Sequence, residues 1–374
     1  MPWHSICLSA NGDIKPCCQF TNKGRPPNTE HPTIMENWNS QRMQDLRQAF
    51  LNGEKPADCN SCWEREAQIG HSRRIWFDEK FGKYITKPTT DLVQADINLS
   101  NVCNLKCRMC GSWASNSWFE EEVALAEKDR RYQKNRKMQS VRNVTVDDIQ
   151  NILPHVKDVR RIDFKGGEPM LAKHHDNFLQ WMIDEGMTDV HLLYTTNGTV
   201  QNWRILNLLA QFKNVSLVFS IEGTGTRYSY IRGGKYPIEQ IESNMARYNE
   251  LDNVKINFNV TVQNYNLMNL VELYNLLHEW EAKYKRVDAN SAFTTICNQP
   301  NYLSPLNVPN DMRDTALEQL AEIEDFKTLR RSLAKRKFDP ELWQTFIDFT
   351  RDLDKMRGDN ILDHCPEFTE YFVD

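Results

Sequence analysis

The stretch QADINLSNVCNLKCRMC (94–110) joins a β-strand pattern to a loop with three cysteines, and it decides how the rest of the chain is interpreted. Residues 94–100 alternate polar and apolar side chains, which is typical of a strand. Cys103, Cys107 and Cys110 follow directly. Three thiolates at such close spacing predict a metal site. No cysteine or histidine follows nearby to supply a fourth ligand.

Strand patterns recur at 159–169, 189–199, 215–225, 254–262 and 286–293, with helical apolar spacing between them. Strands that alternate with helices indicate βαβ units and a parallel sheet. Six strands are fewer than the eight of a closed TIM barrel, so we expect an α/β fold with a partial (β/α)6 barrel. In such sheets the site lies at the carboxyl ends of the strands. The cysteine loop and the motifs GGEP, TTNG and SIEG all fall there.

The first 90 residues have a different composition, rich in Pro, Gly, Asn and Cys. The segment CLSANGDIKPC (7–17) predicts a hairpin, because Asn11 and Gly12 suit a tight turn. A small fold with little core usually needs a metal staple. We therefore predict a small metal-stapled domain at 1–90, the barrel at 91–303 and a helical C-terminal segment at 304–374.

Charge and hydropathy exclude several classes of protein. The net charge of −5 gives no global attraction to nucleic acid or to an anionic membrane. No run of about 18 apolar residues predicts a transmembrane helix, and the first residues lack the pattern of a signal peptide. Eight of the ten cysteines lie in three tight groups. Clustered thiols without an export signal indicate metal or iron–sulfur ligands in the cytoplasm.

The spacing Cys103-x3-Cys107-x2-Cys110 lets one short loop place three thiolates around a corner of an iron–sulfur cubane. A [4Fe–4S] cluster ordinarily takes four cysteines, so with three of them one iron stays open to a substrate or cofactor. A zinc site completed from elsewhere in the chain fits the same spacing.

With this loop after its first barrel strand, the chain resembles the radical S-adenosylmethionine (SAM) enzymes. The resemblance implies that the amine and carboxylate of SAM chelate the open iron. It also implies reductive cleavage of SAM, release of a 5′-deoxyadenosyl radical and hydrogen abstraction from a substrate. A reductant such as flavodoxin or ferredoxin would supply the electron. Met109 stands where the family usually has an aromatic residue, and it would cover the adenine.

The motif GGEP resembles the glycine-rich motif of the family, which contacts the methionyl amine of SAM. Gly166 and Gly167 would let backbone carbonyls approach an ammonium group closely, and Glu168 would add negative charge. On the residues alone, the same four positions are also consistent with a plain turn. The motif TTNG (195–198) resembles a segment near the sugar and the methionine, which implicates Asn197.

Two later motifs extend the resemblance. In SIEG (220–223), Ser220 and Glu222 would bond the ribose hydroxyls. In YIRGG (230–234), Arg232 would pair with the methionyl carboxylate, although a surface ion pair is the alternative from the residue alone. Val260, in the fifth strand, would lie beside the adenine.

The N-terminal hairpin CLSANGDIKPC and the distant pair Cys59 and Cys62 resemble the SPASM or shortened twitch extension, which holds an auxiliary [4Fe–4S] cluster. The resemblance implies Cys7, Cys17, Cys59 and Cys62 as ligands. Cys7 lies closer to Gly12 than in the usual pattern, and the neighbouring Cys18 is a further candidate for the fourth ligand. A structural zinc ribbon with the same thiolates is the alternative.

Three functions follow from these motifs. The first is a radical SAM enzyme that modifies a peptide or protein side chain, as relatives with such extensions often do, while the auxiliary cluster accepts an electron. The second is the same chemistry on a small molecule such as a sugar alcohol. The third is a non-enzymatic iron–sulfur redox or binding protein. The cofactor motifs disfavour the third, because an electron carrier needs no cradle for SAM. No membrane or nucleic-acid partner is expected.

Overall fold

The computed structural model describes residues 1–9, 12–22, 25–85, 92–133, 145–290 and 292–372. Asn11 of the predicted hairpin turn and the predicted domain boundary at 90 lie outside these residues. In the described ranges, no helix is long and apolar enough to cross a membrane.

The described strands are β1 (Ser5–Leu8), β2 (Ile14–Lys15), β3 (Gln94–Asn98), β4 (Arg161–Lys165), β5 (His191–Thr196), β6 (Val215–Ser220), β7 (Val254–Val262) and β8 (Phe293–Ile296). The α-helices of the described residues are α1 (Ile34–Trp38), α2 (Gln41–Leu51), α3 (Asn60–Ile69), α4 (Arg73–Phe81), α5 (Phe119–Lys128), α6 (Val146–Ile152), α7 (His175–Asp184), α8 (Trp203–Leu209), α9 (Gly225–Arg232), α10 (Ile238–Asn249), α11 (Leu270–Lys283), α12 (Asn310–Gln319), α13 (Lys327–Lys335) and α14 (Pro340–Arg357). Strands and helices alternate from β3 onward, so the predicted α/β fold class is confirmed.

The chain divides into two compact units. Unit 1 comprises Met1–Asn101, Ser140–Thr195 and Asn202–Val215, and unit 2 comprises Val102–Gln139, Thr196–Gln201 and Ser216–Asp374. The predicted domain bounds at 90 and 303 follow a different division and stay predictions.

In unit 1 the strand order is β2-β1-β3-β4-β5. Strands β1 and β2 pair antiparallel. The pairs β1–β3, β3–β4 and β4–β5 are parallel. In unit 2 the order is β6-β7-β8, and β7 and β8 are parallel. The six barrel strands predicted from residue 94 onward are therefore β3 to β8. The last one begins at Phe293, later than predicted, because within 286–290 Val287 forms only an isolated bridge to Ile256.

The sheet of unit 1 has two chemically different faces, because successive side chains of a strand point to opposite sides. One face is apolar and buried under α7. Phe164 of β4 is fully buried and stacks on Tyr194 at 5.0 Å and edge-on against Phe178 at 5.6 Å. The opposite face, called the polar face below, carries Gln94, Asp96, Arg161, Asp163 and Lys165 in register.

In unit 2, β7 alternates buried and half-buried residues, and α11 covers its apolar side, where Trp280 lies 5.8 Å from Phe258. Helices α12 to α14 form the C-terminal part of the chain. The predicted helical C-terminal segment is thereby confirmed.

Phe164→Ala is expected to lower the free energy of unfolding by about 3–5 kcal/mol, since it leaves a cavity where a fully buried ring packs against two others. The matched control is Phe119→Ala, which removes a ring that is 49% exposed and should cost less than about 0.5 kcal/mol. Anaerobic urea unfolding of both variants measures the difference. Equal losses would contradict this assignment of the core.

Candidate functional site

The three-cysteine loop (103–110) lies in unit 2 and is shaped by a tight turn at its end. The Cys110 backbone N–H donates to the Cys107 carbonyl oxygen at 2.9 Å. Cys107 is buried, whereas Cys103 and Cys110 are half-buried. A hydrogen bond with the Cys110 thiol and burial raise the pKa of Cys107 well above its usual value. The turn therefore brings two of the three predicted ligands into direct contact.

Asn197, in the TTNG motif, lies beside the remaining cysteine of the loop, Cys103, within unit 2. Its Nδ2 lies 3.7 Å from the Cys103 Sγ and donates to the Asn104 Oδ1 at 3.0 Å. The Asn104 amide in turn donates to the Thr199 Oγ1 at 2.8 Å. Asn104 and Thr199 were not predicted, although Asn104 stands inside the three-cysteine loop and Thr199 directly follows the TTNG motif.

A buried ion pair joins the SIEG and YIRGG motifs. The Arg232 Nη1 donates to the Glu222 Oε2 at 2.9 Å. Glu222 is 0% exposed and Arg232 is 6% exposed, so Arg232 is not part of a surface ion pair. Burial lowers the pKa of Arg232, but the neighbouring Cys107 and Glu222 raise it well above its usual value. Burial raises the pKa of Glu222.

Two polar atoms of this ion pair, the Glu222 Oε1 and the Arg232 Nε, are buried and make no hydrogen bond of normal length in the described residues. The Glu222 carboxylate also interacts with the Thr261 backbone N–H, and the Arg232 guanidinium with the Tyr228 hydroxyl. Buried polar atoms are rarely left unsatisfied. A carboxylate oxygen and a guanidinium N–H near the thiols of Cys107 and Cys110 fit a ligand that carries both hydroxyl groups and charged groups. The donor set and the unsatisfied atoms therefore fit a [4Fe–4S] cluster with SAM.

The glycine-rich motif lies in unit 1, at the end of β4. Gly166 has φ +81°, and a Cβ there would lie 2.8 Å from the Asn98 Cβ and 2.9 Å from the Ser100 carbonyl oxygen. Gly167 also has a positive φ, of 54°. Glu168 is 0% exposed, and it accepts from the Met170 backbone N–H at 3.0 Å. The backbone of this motif therefore requires glycine, and the Glu168 carboxylate caps the turn that follows.

Three other predicted residues lie at different places in unit 2. Ser220 is buried at the end of β6, two residues before Glu222, and Met109 is half-buried in the three-cysteine loop. Val260 is not brought together with them. Its side chain lines a cavity with Leu273 and Leu277 of α11, on the helix-covered side of β7.

A cavity in unit 1 gathers part of the N-terminal cysteines. Cys17, Cys59 and Cys62 line it together with apolar side chains and Arg74. Burial raises the pKa of Cys17 and of Cys59 to about 12. Within the described ranges, no three His, Cys, Asp or Glu side chains close around a single metal ion. This cysteine cavity thus holds three of the five predicted thiols.

The other two candidates, Cys7 and Cys18, are not among the described residues that line the cysteine cavity. Cys7 lies in β1 opposite Asp96 of β3. Both thiols interact electrostatically with Asp96 and Lys165. The structure therefore groups Cys7 and Cys18 with the polar face of unit 1.

The C-terminal helix α14 holds the three-cysteine loop in place, a contact that the sequence did not predict. Arg108, inside the loop, is fully buried, pairs with Asp354 and lies 3.5 Å from the centre of the Tyr230 ring. Arg357 donates to the Lys106 carbonyl oxygen at 2.8 Å. The sequence does show an arginine between two cysteines of the loop. It gives no indication of the partner, because Asp354 lies 246 residues away.

The fold and the thiol groups define a class: α/β proteins with clustered cysteines, suited to iron–sulfur ligation, in the loops that follow the strands. Comparison with protein families matches the Radical SAM superfamily over residues 97–277 and the iron–sulfur cluster-binding SPASM domain over residues 1–63. The chain therefore contains a radical SAM domain and, N-terminal to it, a SPASM iron–sulfur cluster-binding domain. These domain matches confirm the predicted cofactors: a [4Fe–4S] cluster with SAM, and an auxiliary iron–sulfur cluster.

Individual relatives are distant. Fe-coproporphyrin III synthase of Methanosarcina barkeri (strain Fusaro / DSM 804) is 23% identical over 182 residues, which are 49% of this chain and 40% of that protein. Streptococcus suis SuiB bound to S-adenosylmethionine is 16% identical, with a TM-score of 0.40, over 78% of this chain and 61% of that one. Coproporphyrinogen III oxidase from Escherichia coli is 12% identical, with a TM-score of 0.34, over 71% of this chain and 52% of that one. The chain thus spans less than two thirds of the length of each of these three proteins.

Asp354→Asn is expected to weaken the three-cysteine loop, because it leaves the buried Arg108 without its counter-charge, a loss of about 3–5 kcal/mol. Iron per chain after anaerobic reconstitution should fall from about eight, the content of two [4Fe–4S] clusters, towards about four. The matched control Asp314→Asn removes a carboxylate that is 63% exposed and should keep the full iron content. Full iron in both variants would contradict a role for α14.

Proposed function

We propose that this radical SAM enzyme removes a hydrogen atom from a peptide or protein side chain, and that its auxiliary [4Fe–4S] cluster accepts an electron from the substrate. Cys103, Cys107 and Cys110 would hold the first cluster and leave one iron open. When bound there, SAM and the cluster supply the reductive cleavage that starts hydrogen abstraction.

One observation carries the proposal: segments far apart in the sequence meet around the three-cysteine loop in unit 2. Asn197 reaches the Cys103 thiol, and Arg232 interacts electrostatically with Cys107 and Cys110. The positive charge of Arg232 suits an anionic site at these thiols, and its guanidinium can in addition pair with the carboxylate of a chelated ligand.

Each residue has a defined role in this proposal. Arg232 would bind the methionyl carboxylate through its unsatisfied Nε, and Glu222 would accept from the ribose hydroxyls through its unsatisfied Oε1, with Ser220 beside it. Because both atoms belong to a preformed ion pair, the ligand would find them already oriented. Asn197 would orient the Cys103 thiolate.

The glycine-rich motif would contribute backbone rather than side chains. At Gly166 and Gly167 no Cβ blocks the approach of an ammonium group to the carbonyl oxygens. Glu168 would hold this turn and add negative charge nearby. Met109 would cover the adenine. Val260 is not carried into the proposal, because its side chain packs on the α11 side of β7.

For the auxiliary cluster, we assign Cys17, Cys59 and Cys62 as ligands, since these three thiols line one cavity. Cys7 and Cys18 are grouped around Asp96 instead. Thiolates bind iron once they lose their protons.

The enzyme class is tested by assaying 5′-deoxyadenosine after anaerobic reconstitution with iron, sulfide, SAM and dithionite. Product is expected from the unmodified chain, and Cys107→Ala should abolish it, since one cluster ligand is lost. Cys365→Ala, at a buried cysteine outside both thiol groups, is the matched control and should retain activity. Absence of product from the unmodified chain would refute the proposal.

The ligand assignment is tested by iron analysis of single Cys→Ser variants. Cys59→Ser should lose about four irons per chain, the content of one cubane. Cys7→Ser should lose none, because its thiol lies on the polar face. The opposite pattern would restore Cys7 to the ligand set and remove Cys59 from it.

A further inference from the structure

A basic segment of unit 2 takes part in none of the roles proposed above. Residues 327–337, KTLRRSLAKRK, contain six basic side chains and no acidic one. They comprise α13 and the two residues that follow it. Four of the basic residues, all exposed, are called the basic patch below: Arg331, Lys335, Arg336 and Lys337.

The orientation of α13 brings the members of the basic patch together. Leu329 and Leu333 are 2% and 1% exposed, so one side of the helix packs in the core. Arg331 and Lys335 are four residues apart and therefore share the opposite side. The chain leaves the helix extended at Arg336, with φ −89° and ψ 142°. The patch thus continues beyond the end of the helix.

Neighbouring carboxylates do not neutralise the patch. Glu324 pairs with Lys327, and its Oε2 lies 3.8 Å from the Arg330 Nη2. Glu324 also attracts Arg331 without forming an ion pair with it. Asp339 accepts two backbone N–H groups at the start of α14, each at 3.1 Å. Within the described ranges, no member of the patch forms an ion pair.

The stability of the helix does not explain the patch either. Like charges four residues apart, as at Arg331 and Lys335, destabilise a helix slightly. The helix dipole favours a cation in the last turn, where Lys335 lies. It does not account for Arg331, one turn earlier. A partner with negative charge would relieve this repulsion.

The surroundings of the patch select among anionic partners. A basic amphipathic helix that binds a membrane inserts its apolar side into the lipid, but here that side is occupied by the core. Proteins that bind single-stranded nucleic acid add exposed aromatic rings on which the bases stack. Among the described residues of 310–340, no large apolar side chain is exposed. A short acidic polypeptide segment needs neither feature.

The length of the patch sets the length of the segment. Arg331 and Lys335 are about 6 Å apart along the helix axis, and the two residues that follow add about 3.3–3.6 Å each. The patch is therefore about 13 Å long. An extended polypeptide covers this distance with about four residues, so a run of four to six Asp or Glu residues, roughly, matches it.

The patch lies apart from the three-cysteine loop, within unit 2. It precedes the first turn of α14, whereas Asp354, near the other end of that helix, pairs with Arg108 of the loop. Fifteen residues of helix separate Asp339 from Asp354, a distance of about 22 Å. A short segment bound at the patch would leave the loop uncovered, so the patch is suited to holding a partner rather than to chemistry.

We propose that the basic patch is a docking site for a polypeptide partner, which it binds through an acidic segment of the partner. The carboxylates of that segment would pair with Arg331 and Lys335 on the helix and with Arg336 and Lys337 beyond it. This inference goes beyond the proposed function and does not depend on it.

The test titrates acetyl-hexaglutamate-amide into the anaerobic holoenzyme and measures binding by isothermal titration calorimetry. Binding is expected at low ionic strength, and it should weaken at about 1 M salt, where the Debye length is about 3 Å. Arg336→Glu combined with Lys337→Glu should weaken it by about tenfold or more, because two attractions become repulsions. The matched control is Lys255→Glu with Lys285→Glu, at two exposed lysines elsewhere in unit 2. It changes the net charge equally and should bind like the unmodified chain.

A second variant avoids new negative charge: Arg336→Gln combined with Lys337→Gln should weaken binding by less than the charge reversal does. No binding to the unmodified chain, or equal binding by the charge-reversed variant and its control, would overturn the inference. Tighter binding of a six-nucleotide thymidine oligonucleotide than of hexaglutamate would overturn it in favour of nucleic acid. Co-sedimentation with phosphatidylserine vesicles that is lost on the charge reversal would overturn it in favour of a membrane.

The same holoenzyme preparation is assayed for 5′-deoxyadenosine. A preparation that forms 5′-deoxyadenosine but does not bind hexaglutamate refutes this inference and leaves the proposed function intact. A preparation that binds hexaglutamate with the expected dependence on Arg336 and Lys337 but never forms 5′-deoxyadenosine supports this inference and refutes the proposed function.

Discussion

The alternation of side chains along parallel strands is the constraint on which the rest of this structure depends. In β4, Ile162 and Phe164 must enter the apolar core, so Arg161, Asp163 and Lys165 must face the other way. The same alternation directs every strand of unit 1. It creates one face that packs under helices and one face that is free to carry polar groups. The parallel direction of the strands places the motif loops at their carboxyl ends.

The loops at those ends have little regular structure of their own, so their geometry is supplied from elsewhere. The three-cysteine loop is fixed by an arginine inside it, Arg108, and by carboxylate and guanidinium groups of α14. Tyr230 stacks against the same guanidinium. Because these partners come from a helix far along the chain, the C-terminal segment supports the three-cysteine loop directly.

Buried ion pairs recur in both units, with one member left partly unsatisfied. In unit 2 it is the pair Arg232 and Glu222, and in unit 1 it is the pair Lys165 and Asp96. Each pair balances its own charge. Asp96 also has a side-chain hydrogen bond with Cys18, whereas the Glu222 Oε1 makes no hydrogen bond of normal length in the described residues. Such a pair costs stability unless a ligand uses the remaining oxygen. The arrangement is therefore explained better by ligand binding than by folding alone.

The sequence by itself determined the strands, their order along the chain and the position of each motif loop, because these depend on local periodicity and turn chemistry. It also determined that Cys103, Cys107 and Cys110 share one loop, since their spacing is short. Only the tertiary structure decided which thiols gather in the N-terminal cavity, that Glu222 pairs with Arg232, and that Asp354 anchors the cysteine loop. Those choices depend on side-chain packing between segments far apart in the chain, for which a single sequence carries no local signal.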